Sequence, residues 1–298
     1  MLVSAGLIYL ILRDTNLEEV FNAIASANVI LVGLAVLSNV VGLFISALRW
    51  QILMRAQDVE AAIPFLFKSY LISGFFNNFL PSTMGGDAVR AYDSWRLGQT
   101  KSGAVAVVFV DRFLGLLVLI VFALVAAFVT PQIVDEAHNL HLWIGLGAVG
   151  AIAVTGIMFV PSQALPNFIE RLPLPFKATI LKVINAFLAF QGKTIVLLKA
   201  LALSVLLQAN VVLHYFLVAE ALNLDIPFLN FFLIIPLASF IMMLPISINA
   251  IGVREGVFAF FFAPFGVPRA EAVAFAWIVY GIIALQGVVG GVLYALRR

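Results

Sequence analysis

The 298-residue chain has no cysteine, so it carries no disulfide, no thiolate metal site and no thiol nucleophile. Charge is scarce: 11% of residues are Asp, Glu, Lys or Arg, against about 25% in an ordinary soluble domain. The signs nearly cancel, 17 basic against 15 acidic for a net charge of +2, which leaves no basic footprint for nucleic acid. No Walker A motif, no GxGxxG and no HExxH occurs, so the usual phosphate cradles and zinc-hydrolase helices are missing. Histidine is rare too. His138 and His141 lie three apart with no ligand-spaced acid cluster nearby, and His214 stands alone in an apolar run, where a helix–helix hydrogen bond is its expected role. These absences exclude a soluble enzyme, a disordered protein and a secreted disulfide scaffold. What is present is apolar: 63% of the residues, with a mean hydropathy of +1.12. The composition is that of an integral membrane protein.

A helix needs about 20 apolar residues to cross a hydrocarbon core of about 30 Å. Five runs qualify, at 29–48, 103–130, 141–160, 195–219 and 270–296. The first carries Ser38 and Asn39, polar groups for a neighbouring helix to satisfy. A shorter run at 1–12 lacks the basic start of a signal peptide and reads as a first crossing that is truncated or that begins upstream of Met1.

Two further stretches break. Residues 61–80 run into Pro81, Gly85 and Gly86, and residues 226–244 run into Pro245. Proline removes a backbone donor and clashes with the preceding turn, so a continuous helix is not expected. Broken backbone at membrane depth survives only when buried in protein or lining a wet cavity. If 61–80 enters, turns at Pro81 and returns, then Arg49, Arg55, Arg96 and Lys101 share one side. The acidic 131–140 and 220–227 segments then fall outside, and the basic 161–199 segment and the C-terminus fall inside, as the positive-inside rule prefers. Arg13 and Arg269, both beside acids, are the exceptions.

The broken segments match each other. Leu80-Pro81-Ser82-Thr83-Met84 leads to Val89-Arg90, and Leu244-Pro245-Ile246-Ser247-Ile248 leads to Val253-Arg254, with the same Pro-to-Arg spacing (81 to 90, 245 to 254). Upstream, Ile63-Pro64-Phe65-Leu66 matches Ile226-Pro227-Phe228-Leu229. The expected fold is therefore all-α: a polytopic membrane helix bundle of one domain, built from two inverted repeats at about 29–130 and 195–296 around a linker at 131–194. Each repeat is a helix, a Pro-broken re-entrant hairpin and a helix, a common transporter design. In the linker, residues 176–190 are amphipathic and read either as a helix on the inner leaflet or as an ordinary basic loop.

Ionisable residues at membrane depth are costly, from about 2.5–3.5 kcal/mol each, and mark function or an internal pair. Asp87 and Arg90 are three apart and share a helix face; Arg254 and Glu255 adjoin in the second hairpin; Asp111-Arg112 interrupts an apolar run and reads either as a buried ion pair or as a ligand contact. Lys68 and Arg49 lie nearer a boundary, within reach of water by snorkelling. Ser82 or Thr83 is expected to cap the first returning helix, and Ser247 or Asn249 the second. Such helix starts attract anions. Gly85 and Gly86 allow either close ligand approach or a tight turn, and Asn77 and Asn78 either line a polar cavity or satisfy unwound backbone. The candidate site is a lipid phosphate headgroup held by Arg90 and Arg254 as bidentate donors. The phenylalanines at 258–265 are expected on lipid-facing or packing surface.

The run Asn78-Phe79-Leu80-Pro81-Ser82-Thr83-Met84-Gly85-Gly86-Asp87-Ala88-Val89-Arg90, with Val110-Asp111-Arg112-Phe113-Leu114-Gly115, resembles the lysylphosphatidylglycerol synthase transmembrane-region family, also called flippase-like. Asn249-Ala250-Ile251-Gly252-Val253-Arg254-Glu255-Gly256 is similar to its second signature. The resemblance implies lipid translocation. The aminoacyltransferase that follows this region in the best-known members has no counterpart here, so lipid lysylation is not carried over. The expectation is a flippase or scramblase for a phosphate-bearing lipid or lipid-linked glycan in the cell membrane, with membrane lipids as partners, no enzyme activity, no cofactor and no metal. The alternative is a non-transporting membrane partner of a cytoplasmic lipid or glycan enzyme, docking through the 161–199 segment.

Overall fold

The computed structural model describes residues 6, 9, 13, 15–79, 86–129, 145–150, 152, 156, 166, 170 and 177–297. Most of the expected crossings at 1–12 and 141–160, the turn at Pro81 with Ser82, Thr83 and Gly85, and the outer loop at 131–140 lie outside the described residues.

The chain builds helices in a pattern that runs twice. In the first half these are α1 (Leu17–Ser26), α2 (Val29–Arg55), α3 (Ile63–Asn77), α4 (Asp87–Arg96) and α5 (Lys101–Val129). In the second they are α6 (Lys177–Leu188), α7 (Thr194–Ala221), α8 (Phe228–Met243), α9 (Val253–Phe262) and α10 (Arg269–Ala295). Four of them, α2, α5, α7 and α10, are long and apolar enough to cross a membrane, at 27 or 28 residues each over the apolar stretch. At 1.5 Å per residue that is about 40 Å, more than a hydrocarbon core. Helices α3 and α8, with 15 and 16 residues, reach only about 22–24 Å, and α4 and α9 with 10 residues about 15 Å.

Local chemistry sets the starts. The Asn16 side chain accepts from the Glu18 amide at the head of α1, and the Asn28 side chain from the Ile30 and Leu31 amides at the head of α2. Pro64 lies in the first turn of α3, and α8 and α10 begin just after Pro227 and Pro268, positions where the missing N–H costs nothing.

The most extensive helix pair is α2 with α7. His214 Nδ1 lies 2.9 Å from the Ala35 carbonyl, Ser38 and Asn210 exchange hydrogen bonds of 2.9–3.3 Å, and Arg49 Nη1 donates to Ser204 Oγ at 2.8 Å. As the α2 number rises the α7 number falls, so the two helices run antiparallel. His214 thus makes the helix–helix bond that its isolation in an apolar run implied.

Other pairings interchange when the two halves are interchanged. Helix α3 packs on α10, and α8 on α5; α1 packs on α10, and α6 on α5. Rings mark these seams: Phe76 with Tyr294 and Phe122 with Phe232, both at 5.1 Å between centroids, then Phe21 with Trp277 at 6.0 Å and Phe187 with Phe113 at 4.9 Å. The amphipathic 176–190 stretch is thus a helix packed on α5, with Phe187 and Phe190 buried. The phenylalanines at 258–265 divide: Phe258, Phe261 and Phe262 join a buried cluster with Phe231 and Phe275, and Phe260 faces outward.

The two ends of the bundle differ in charge. Gln57 Nε2 donates to the Ala189 carbonyl, Lys193 Nζ to the Ala56 carbonyl and Arg297 to Asp93, which gathers the ends of α2, α4, α6 and α10. That end carries Arg55, Arg96, Lys101, Lys193 and Arg297 against Asp58, Glu60 and Asp93. At the other, the Asn28 amide donates to the Ala221 carbonyl, and Glu18, Glu19, Glu220, Asp225 and Glu271 outnumber Arg269.

Candidate functional site

The two breaks meet. Asn249 Nδ2, in the second, donates to Asn78 Oδ1, in the first, at 2.7 Å. A cavity of about 370 Å³ opens beside this contact, walled by Arg49, Tyr70, Arg90, Asp111, Arg112, Asn249 and Arg254 with Gln208, Tyr215 and Gln286. That is the size of a small-ligand site. Arg90 and Arg254, predicted to act together, share its wall. Asn77 fulfils both alternatives, lining the cavity while its Oδ1 accepts from the Gly86 amide at 2.5 Å, whereas Asn78 accepts from the Asn249 side chain instead.

The first half supplies an ion network in which each arginine has a carboxylate partner, although Arg90 Nε itself makes no hydrogen bond. Asp111, buried on α5, accepts from Arg49 Nε at 2.6 Å, Arg90 Nη2 at 2.7 Å and Tyr70 Oη at 3.2 Å. Arg90 also reaches Asp87 at 3.3 Å, and its guanidinium lies 4.7 Å from the Trp50 ring and 4.2 Å from the Tyr70 ring. Asp87 in turn pairs with Arg112, at 2.7 and 3.1 Å. Asp111 and Arg112 are both ion-paired, but with different partners. Consecutive residues of a helix point about 100° apart, so they cannot face each other. Arg49 does not snorkel; it is 5% exposed and held by Asp111 and Ser204. Its membership was readable as period: Ser38, Gly42, Ser46 and Arg49 form one small or polar stripe down α2.

The helix caps differ from those expected. Gly86, not Ser82 or Thr83, occupies the N-cap of α4 and makes no side-chain cap bond. A Cβ at Gly86 would collide with the Ser73 carbonyl, so this glycine serves close packing of α4 on α3. The N-cap of α9 is Gly252, with φ 85°, and its amide donates to Glu255 Oε2 at 2.8 Å. Glu255 therefore caps the helix that Ser247 or Asn249 was expected to cap. Ser247 is buried, and its hydroxyl has no hydrogen-bond partner. Asn249 and Ala250 take left-handed φ values of 45° and 57°. Alanine there is strained, and such strain concentrates at functional sites. Nothing in the composition of the segment signals it.

Arg254 is the cavity arginine without a carboxylate partner among the described residues. It is 2% exposed, its Nη2 donates to the Asn249 carbonyl at 3.2 Å, and it lies over the Tyr280 ring at 5.0 Å. Its Nε and Nη1 have no hydrogen-bond partner, and no carboxylate among the described residues pairs with it. Four arginines border the site (Arg49, Arg90, Arg112, Arg254) against the two aspartates that pair with them (Asp87, Asp111), which leaves two positive charges in excess; Glu255, adjoining, is turned to its cap. The arrangement suits an anion. Among the described residues no group of three or more His, Cys, Asp or Glu could hold a metal.

Comparison with known proteins agrees in class. The family described as "Lysylphosphatidylglycerol synthase TM region" matches residues 1–290. A curated relative, the "UPF0104 membrane protein" of Methanothermobacter thermautotrophicus (strain Delta H), is 25% identical over 277 residues, which is 86% of this chain and 82% of the relative.

Proposed function

The chain belongs to the lysylphosphatidylglycerol synthase transmembrane-region family, and from that premise we propose that it moves a phosphate-bearing lipid or lipid-linked glycan between membrane leaflets, with the headgroup held at Arg254. The observation that carries this reading is the uncompensated guanidinium in the cavity wall. A buried cation without a counter-ion is costly, and phosphate oxygens accepting from Nε and Nη1, which point to different edges of the guanidinium, would satisfy it. Arg90 has a different part. Two carboxylates and two rings already engage it, so it holds α4 against α5 and α3 and shapes the wall. Asp87, Asp111 and Arg112 belong to that scaffold, and Glu255 and Gly252 fix the start of the helix that carries Arg254. Asn78 and Asn249 join the two breaks at the headgroup position. Ser82, Thr83, Gly85, Gly86 and Ser247 complete the proposed surroundings from the expected motif.

Three features support two inverted repeats. The order of helix lengths recurs, the pairings interchange between halves, and the equivalent helices α2 and α7 are antiparallel. Two copies related by an axis in the membrane plane have this property; copies related by an axis along the normal would run parallel. The short lengths of α3, α4, α8 and α9 favour re-entrant hairpins over full crossings. The basic end favours a cytoplasmic C-terminus.

The test is reconstitution. Liposomes holding the full chain should equilibrate a headgroup-labelled phospholipid between leaflets faster than empty ones. Arg254→Ala should slow this at least about tenfold, the loss of a charge-assisted hydrogen bond of about 1.5–3 kcal/mol, and Arg254→Lys should keep part of the rate. A wild-type rate in Arg254→Ala would overturn the site.

The alternative, a membrane partner for a cytoplasmic lipid or glycan enzyme, has the basic end in its favour. Two of its proposed docking lysines are already occupied, Lys193 by the Ala56 carbonyl and Lys177 by the Glu170 carbonyl.

A further inference from the structure

A second cavity, of about 570 Å³, lies on the opposite face of α3 from the first. Helical period separates them: Tyr70, Gly74 and Asn77 face the central cavity, and Phe65, Lys68, Ser69 and Ile72 face this one. Its other walls come from the ends of α4 and α10, through Asp93, Arg96, Leu293 and Arg297. The two cavities share no lining residue.

Its charge is unbalanced. Lys68, Arg96 and Arg297 line it against one acid, Asp93. Asp93 is wholly buried and already engaged: Arg297 grips both its oxygens, at 2.7 and 3.1 Å, and Ser69 Oγ donates to Oδ2 at 2.7 Å. Lys68 and Arg96 are exposed, and neither has a carboxylate partner among the described residues, so two cations face the cavity uncompensated. The remaining wall is apolar, from Phe65 and Ile72 to Leu293 and Leu296. Along α4 and the start of α5 aromatic and basic side chains pair in the interfacial pattern: Tyr92 beneath Arg96, itself a lining residue, at 6.0 Å and Trp95 beneath Lys101 at 5.3 Å, both rings exposed. The cavity sits where α4 and α10 end, and α10 is long and apolar enough to cross a membrane, so its end belongs at a membrane–water boundary.

A pocket basic at one side and apolar at the other, at that level, fits a lipid with a phosphate headgroup and acyl chains, and basic pockets between transmembrane helices recognise anionic lipids in this way. We propose that this cavity is a binding site for an anionic phospholipid, separate from the central cavity, with Lys68 and Arg96 as the phosphate donors. Arg297, fixed by Asp93, closes its inner wall.

The experiment uses the full chain in detergent micelles, titrated with phosphatidylglycerol, phosphatidylcholine or inorganic phosphate, and reads the shift in melting temperature and the lipids retained in native mass spectra. Phosphatidylglycerol should stabilise the protein and phosphatidylcholine should not. The double variant Lys68→Ala/Arg96→Ala changes exposed residues, so its melting temperature without added lipid should match the wild type. Its half-saturating phosphatidylglycerol concentration should rise at least tenfold in the Arg254→Ala background, where the central site is already disabled. An unchanged titration there would overturn the proposal, as would loss of all retained phosphatidylglycerol on Arg254→Ala alone. Equal stabilisation by inorganic phosphate would overturn the lipid assignment.

Discussion

Asp111 holds Arg49 and Arg90 at once, and all three are buried. Removing one partner of a buried pair leaves a charge without compensation, at a cost of about 3–5 kcal/mol. Asp111→Ala should therefore lower the thermal midpoint in detergent sharply, and Asp111→Asn nearly as much, because shape without charge leaves both guanidinium groups unpaired. Arg112→Gln, at a pair whose arginine is about a third exposed, should cost about 1 kcal/mol or less in the same measurement. The residues that matter were legible as types at depth: Asp87, Arg90, Asp111, Arg112, Arg254 and Glu255 are ionisable where charge is costly. Their partners were not legible. Period assigns a residue to a face of its own helix, but the helix opposite is decided by tertiary packing. For the same reason Arg49 read as a boundary residue. Its acid is on α5 and its hydroxyl partner on α7.

Apolar length and proline placed the elements well. The runs at 29–48, 103–130, 195–219 and 270–296 are α2, α5, α7 and α10, and the breaks fall between α3 and α4 and between α8 and α9. Close approach was less visible, because glycine is common in membrane helices for several reasons. On α10 a Cβ at Gly290 would collide with the Leu71 carbonyl of α3, whereas one at Gly281 meets nothing within 4 Å. Gly290→Ala should thus destabilise by about 1–3 kcal/mol, the usual cost of overpacking. Gly281→Ala should be neutral or stabilising by up to about 1 kcal/mol through helix propensity. Chemical denaturation in mixed micelles reads both. The helix at 177–188 was legible as amphipathic, yet its apolar side faces α5, which a moment along one helix cannot distinguish from a lipid surface.

For the whole molecule the charge distribution predicts sidedness. The chain has no native cysteine, so single introduced thiols report cleanly. Ser102→Cys, exposed at the basic end, should react with an impermeant maleimide only after the membrane is opened. Asp225→Cys, exposed at the acidic end, should react in intact cells. The reverse pattern would invert the proposed orientation. The proposed repeat was suggested by Pro81 and Arg90 against Pro245 and Arg254 in the sequence, since proline and arginine are rare enough to align. The inclusion of α1 and α6 was not, because a 10-residue and a 12-residue helix share no such punctuation.

The seam between α2 and α7 joins each half to its own counterpart, head to tail, through Ala35, Ser38 and Arg49 on one side and His214, Asn210 and Ser204 on the other. Under the proposed inversion, a gene for one half alone would encode a complete fold only if its product entered the membrane both ways up and the two orientations paired. The opposed acidic and basic ends remove that freedom. On the proposed reading, joining the halves in one chain fixes one copy upright and the other inverted, and lets their arginines diverge into Arg90, the fastener, and Arg254, the headgroup donor.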